Sequence, residues 1–204
     1  MKKELDVVFI LDKSGSMSGS EENTISSFNE YLEKEKKNKF KTNITTVLFS
    51  DDYEYLYHRE NVKGIQKLTD KEYFVGGCTA LYDALGNSIH DIEKEKPNKA
   101  IFIIITDGYE NASKEYSKEQ IKKLIKKHSD WEFIYIGADI DSYASAGEIG
   151  IKKENTANYK KDKRGTSAVF KSVGAFECEY MSSSPITSKW KKDLDEYIEQ
   201  NKND

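Results

Sequence analysis

Leu5-Asp6-Val7-Val8-Phe9-Ile10-Leu11-Asp12-Lys13-Ser14-Gly15-Ser16-Met17 is the stretch that decides the fold. Residues 5–11 form a nearly continuous apolar run, the pattern of a central parallel strand covered on both faces. Directly behind it, Asp12, Ser14 and Ser16 place oxygen-bearing side chains at alternate positions where the strand should end. That edge is where open α/β sheets hold their ligands. Two further segments carry an oxygen donor at the start of an element or just after one: Gly76-Gly77-Cys78-Thr79-Ala80-Leu81 and Ile103-Ile104-Ile105-Thr106-Asp107-Gly108.

Outward from this stretch, strands and helices alternate. Ser18-Gly19-Ser20-Glu21 matches a capping box, and Ile25, Phe28 and Leu32 repeat at helical spacing until Glu33-Lys34-Glu35-Lys36-Lys37. Residues 44–49 read as a strand, 50–52 as a tight connection, and 53–58 as the returning strand of a hairpin. Its tyrosines alternate as on an antiparallel edge strand with one covered face. Leu81, Leu85, Ile89 and Ile92 mark the next helix, which puts Thr79 at its entrance behind the flexible Gly76-Gly77 pair. Residues 100–105 are the most apolar run and hence another parallel strand, with Asp107 projecting beyond its carboxyl end. A helix capped at Ser117, a strand over 131–136, a short helix ended by Gly150, a short strand near 156–159 and a helix carrying Val169, Phe170, Val173 and Phe176 complete the series. Residues 182–186 look like a linker, and 187–200 like an amphipathic helix with Trp190, Leu194, Tyr197 and Ile198 on one stripe. Such a stripe more often covers its own core than a partner.

The chemistry of the clustered residues is that of a hard cation. Carboxylates and Ser/Thr hydroxyls suit Mg²⁺, Mn²⁺ or Ca²⁺ far better than zinc or copper. His58, His90 and His128 are scattered, and Cys78 and Cys178 make no spaced pair for zinc. With Asp12, Ser14, Ser16, Thr79 and Asp107 in this order and in these elements, the chain resembles the von Willebrand factor A domain family with its metal-ion-dependent adhesion site. The resemblance spans residues 4–150 and extends more loosely to about 180. It implies a Rossmann-like three-layer sandwich: a mostly parallel six-stranded sheet with one antiparallel edge strand and helices on both faces. It divides the chain into a domain over 1–181 and a linker with a C-terminal helix over 182–204. It also implies that the hydroxyls of Ser14, Ser16 and Thr79 touch the ion while Asp12 and Asp107 often act through water. The ion is then left electrophilic enough to take an exposed Asp or Glu from a protein partner, and stand-alone bacterial or phage domains of this kind provide the likeness for source.

Several alternatives are set against this. A Mg²⁺-dependent hydrolase or phosphotransferase on a Rossmann-like sheet also places an aspartate after its first strand. The haloacid-dehalogenase pattern, however, needs a second acid where Ser14 stands, and neither a phosphate-binding Gly-x-x-x-x-Gly-Lys loop nor a Gly-x-Gly-x-x-Gly fingerprint is present. An enzyme is therefore not expected. Asp83 reads as a helix-surface group or one standing behind the ligands, Asp51 and Asp52 as turn formers at the rim, Cys78 as a small buried residue, and Glu110 and Asn111 as loop polarity or partner contacts. The runs at 33–37, 93–96 and 160–164 read as solvated surface. With 32 basic and 36 acidic residues the formal charge is −4, which gives nucleic-acid binding no support. No apolar run approaches the roughly 20 residues of a spanning helix, and the residues before Asp12 are too few for a signal sequence. Together with the sparse cysteines, this makes a cytoplasmic protein the expectation.

Overall fold

The structure, a computed structural model, describes residues 4–182 and 186–201. Its strands are β1 (Glu4–Asp12), β2 (Lys41–Phe49), β3 (Tyr53–Asn61), β4 (Ala100–Thr106), β5 (Glu132–Gly137) and β6 (Thr156–Asn158), and its helices α1 (Glu21–Glu35), α2 (Leu81–Glu95), α3 (Lys118–Lys127), α4 (Ser142–Glu148), α5 (Lys163–Met181) and α6 (Lys192–Gln200). Among the described residues the strands form one six-stranded sheet in the order β3-β2-β1-β4-β5-β6. The pairing is parallel except between β2 and the edge strand β3. The Rossmann-like α/β class with one antiparallel edge strand is thus the observed one.

β1 lies inside the sheet, so both of its faces are covered. Val7, Phe9 and Leu11 pack with Phe28 and Leu32 of α1 and with Val169, Phe170 and Val173 of α5. Val8 and Ile10 pack on the other side with Leu85 and Ile89 of α2 and Ile121 of α3. Phe9 is central to the first layer, its ring meeting Phe28 edge-on at 5.2 Å and Tyr31 at 5.1 Å. Each such buried side chain contributes about 1.5–3 kcal/mol relative to exposure, which explains why the run at 5–11 admits so little polarity. The chain winds outward from β1 in both directions, so the strand order reverses between β1 and β4. Ligands of open α/β sheets bind at such a reversal, beyond the carboxyl ends of the strands.

Three local expectations change. The Ser18–Glu21 capping box does not form, because a 3-10 turn over Gly15–Met17 intervenes and Ser20 caps α1 with its hydroxyl turned back to the Met17 carbonyl, at 2.5 Å. The tyrosines of β3 do not share one face. A bulge opposite Thr46 and Val47 shifts the register, so Tyr53 and Tyr55 lie against the α2 layer and Tyr57 against the α1 layer. Glu35, in a run read as solvated, is buried. The C-terminal stripe starts as a 3-10 turn over Ser188–Lys191 and packs on this same chain: Trp190 meets Phe176 edge-on at 5.5 Å and donates its indole N–H to the Glu154 carbonyl at 2.8 Å, and Leu194 is buried beside it. Of the proposed linker, residues 183–185 lie outside the described ones. No described helix is long and apolar enough to cross a membrane.

Candidate metal centre

Asp12 closes β1 and is 1% exposed. Its Oδ1 accepts the Ser14 backbone N–H at 2.7 Å and its Oδ2 the Thr106 hydroxyl at 2.5 Å. The Tyr73 hydroxyl donates to its carbonyl at 2.6 Å. Burial pushes the Asp12 carboxyl above the usual carboxylate range, the Ser14 and Thr106 hydrogen bonds pull it back, and the charge of Asp107 adds to the rise.

The other residues expected here meet it. Ser14 Oγ and Ser16 Oγ stand 3.0 Å apart, and the Ser16 hydroxyl donates to Asp107 Oδ1 at 2.5 Å. Asp107 itself sits just past β4, 6% exposed. Thr79 Oγ1 faces Gly108: a Cβ added there would come within 2.9 Å of that oxygen and 3.4 Å of Ser16 Oγ. Gly108 therefore leaves open the space into which the Thr79 and Ser16 hydroxyls point, and any other residue would fill it. Two carboxylates and three hydroxyls thus converge at one end of the sheet, a donor set that fits a hard divalent ion. Among the described residues no three His, Cys, Asp or Glu side chains gather as a metal cluster, so hydroxyls are indispensable to any such site.

The loops are tied together by main-chain bonds. Gly15 N–H donates to the Gly77 carbonyl at 3.0 Å, and Gly76 N–H to that of Lys13 at 2.8 Å. Gly77 has a φ of 81°, and a Cβ there would strike Asp51 Oδ2 at 2.2 Å, so only glycine serves. Asp51 is more than a turn former, since its other oxygen accepts the Cys78 N–H at 3.1 Å. Cys78 is exposed rather than buried, and the neighbouring Asp51 carboxylate raises its thiol pKa. Asn111 grips Thr79 from both sides: its Oδ1 accepts the Thr79 N–H at 2.9 Å and its own N–H donates to the Thr79 carbonyl at 3.0 Å. Glu110 is likewise spent inside the protein, accepting the N–H groups of Tyr82, Ala112 and Ser113. Asp83 is not a surface group. It is 8% exposed and accepts three consecutive N–H groups, from Lys114, Glu115 and Tyr116, at 2.7–2.9 Å.

Three residues at the site escaped the sequence. Lys161, in the basic run taken for solvated surface, donates to Asp107 Oδ2 at 2.7 Å and to the Ser16 carbonyl at 2.7 Å. Thr106 and Tyr73, which hold Asp12, were equally silent. The apolar strand beside Thr106 and the Gly76-Gly77 pair after Tyr73 were the only signals near them.

Comparison with known proteins agrees with this fold. Solved structures of similar fold include proximal thread matrix protein 1 from the mussel byssus (TM-score 0.62, 18% identity, 84% of this chain and 45% of that one), of which a further structure has a zinc-occupied MIDAS motif. The PilB minor pilin of Streptococcus sanguinis (TM-score 0.68, 10% identity, 90% of this chain and 62% of that one) and a von Willebrand factor type A protein of Catenulispora acidiphila (TM-score 0.60, 14% identity, 86% and 42%) are also similar. This chain spans less than two thirds of each of them, and at these identities the likeness establishes the fold. No curated protein matches. The sequence itself matches the von Willebrand factor type A domain over residues 6–171, from β1 into α5 and across all six strands. The chain belongs to the von Willebrand factor type A domain family.

Proposed function

We propose that this domain is a divalent-metal-dependent protein-binding module of the metal-ion-dependent adhesion type. The observation that carries the proposal is the convergence of Asp12, Ser14, Ser16, Thr79 and Asp107 around the gap at Gly108, at the point where the strand order reverses. The zinc-occupied MIDAS motif of the mussel protein supports divalent binding in this fold, and the oxygen-only donor set here favours Mg²⁺, with Mn²⁺ or Ca²⁺ as substitutes. Ser14, Ser16 and Thr79 would hold such an ion through their hydroxyls, with Asp12 and Asp107 supplying the balancing charge. When bound, the ion offers a Lewis-acidic position that accepts a carboxylate oxygen. Thr106 and Tyr73 keep Asp12 in place, and Asn111 keeps Thr79 at the mouth.

The partner in this reading is a protein presenting an exposed Asp or Glu, and the domain acts without turnover, because the Ser16 hydroxyl and the Asp107 carboxylate that accepts its proton would both be taken up in holding the ion. We read it as cytoplasmic and of the stand-alone bacterial or phage type. Calorimetry tests the site: one Mg²⁺ or Mn²⁺ should bind the wild type, and Asp12→Ala with Asp107→Ala should abolish binding. A pull-down from the source cells in Mg²⁺ against EDTA, analysed by mass spectrometry, tests the partner. Capture that is unchanged in EDTA would overturn the proposed mode, as would equal ion binding by the double variant.

A further inference from the structure

We propose that Lys161 sets the strength of the metal site in opposite senses for its two ligands, weakening the hold on the divalent ion and strengthening the hold on the anion that completes the ion's shell. This rests on the metal-binding reading above. The ammonium takes one oxygen of Asp107 while the Ser16 hydroxyl takes the other, and it reaches the Ser16 carbonyl as well, so it is bonded to two of the five site residues at once.

Its position is built rather than incidental. Lys161 sits in the short connection from β6 to α5, which is fixed at both ends. Tyr159, buried, donates its N–H to the Gly137 carbonyl at 2.9 Å. Asp162 caps α5 by accepting the Gly165 N–H at 2.7 Å, and its other oxygen accepts the Tyr197 hydroxyl of α6 at 2.8 Å. A Cβ at Gly165 would lie 2.0 Å from the Lys160 carbonyl, so α5 presses directly on this turn. The Lys161 side chain is 23% exposed, whereas Lys163 and Arg164 of the same basic run stand in solvent.

The charges then decide the effect. Asp12 and Asp107 balance a divalent ion, and Lys161 leaves the loaded site with an excess positive charge, tempered by the exposed carboxylate of Asp139 3.9 Å away. Lys13, a buried cation next to Asp12 in the chain, points elsewhere, to Glu54 and the Phe74 ring. A charge this close to a ligand carboxylate is weakly screened, so its removal should change ion affinity by about tenfold. The ion must compete with the ammonium for Asp107, and the anion that follows meets two cations in place of one.

The test is calorimetric titration of the whole chain with Mn²⁺, with and without acetate as the anion probe, for wild type, Lys161→Met and Lys161→Arg. Lys161→Met should bind Mn²⁺ about tenfold more tightly and lose most of the gain that acetate gives the wild type, while Lys161→Arg, which keeps the charge, should behave as wild type. A merely structural lysine would move both readouts downward together. Equal or weaker Mn²⁺ binding by Lys161→Met overturns the inference and leaves the site standing, as does an acetate effect equal to that of the wild type. Absence of Mn²⁺ binding in all three proteins overturns the site itself and this inference with it.

Discussion

Two pairs of buried carboxylates lie at opposite ends of the sheet. Asp12 ends β1 and Asp107 stands just past β4, and Glu35 and Glu177 stand where α1 and α5 pass the start of β2. Asp12 and Asp107 are surrounded by donors and by a lysine, and they face a space that Gly108 leaves open. Glu35 is held by the Asn38 amide at 2.8 Å, and Glu177, fully buried, accepts the Tyr31 hydroxyl at 2.7 Å and meets the Glu35 carboxyl. Burial drives the Glu177 carboxyl well above the usual range, and the charge of Glu35 drives it further. The first pair is compensated by hydrogen-bond donors and the Lys161 ammonium, whereas in the second pair burial favours the protonated, uncharged acid. Proximity of acids alone therefore does not equip a site for a metal; the neighbouring donors and the open space are what the proposed centre adds.

The largest effect that separates the pairs is ion-dependent stabilisation. Mg²⁺ or Mn²⁺ should raise the melting temperature of the wild type and of Glu177→Gln alike, and should leave Asp12→Asn with Asp107→Asn unmoved, as scanning calorimetry would show. Ion-dependent stabilisation that vanishes in Glu177→Gln would erase the distinction.

A smaller effect concerns pH. Because the folded value of Glu177 is raised above the unfolded one, its contribution to stability is complete below the ordinary carboxylate value and is lost as pH rises through the folded one. Denaturant titrations at rising pH should show wild-type stability falling by at most about 1.4 kcal/mol per unit from this group. Glu177→Gln should flatten that slope, and a slope unchanged in the variant would show the proton to be elsewhere.

The smallest is local. Tyr73→Phe removes the hydroxyl that holds the Asp12 carbonyl, in a buried place, and should cost about 1 kcal/mol of stability by chemical denaturation. An equal loss in a variant of the exposed Phe74 would show that the hydroxyl is not what matters.

Much of the fold was legible because burial on both faces forces β1 and β4 to be apolar throughout, and because Asp12, Ser14, Ser16, Thr79 and Asp107 each follow or open an element that its periodicity betrays. What stayed hidden depends on contacts between distant segments. Lys161 looks like its solvated neighbours until β6 is laid beside β5, which carries the following turn to the site. Tyr57 changes face through a single bulge that no alternation signals. Glu110 and Asn111 look like loop polarity, and Asp83 like a helix-surface group, because the N–H groups they accept belong to backbone whose path the sequence does not state. Glu35 sits in a charged run, and Thr42 and Asn38 are what draw it inward.

The register of β1 bears on how the domain comes into being. β1 pairs with β2 from Glu4↔Lys41 onward, but its other edge waits for Asp6↔Ala100, and Lys161 arrives later still, after β5 and β6 have been added. On a ribosome, therefore, the N-terminal strand emerges long before the residues that complete its pocket, and Asp12 is left without the Thr106 hydroxyl until β4 docks. The order of synthesis makes the centre a late product of folding that matures only when nearly the whole sheet is in place. A truncated or stalled chain would carry Asp12, Ser14 and Ser16 yet have no functional pocket, which ties competence for ligand to completion of the polypeptide.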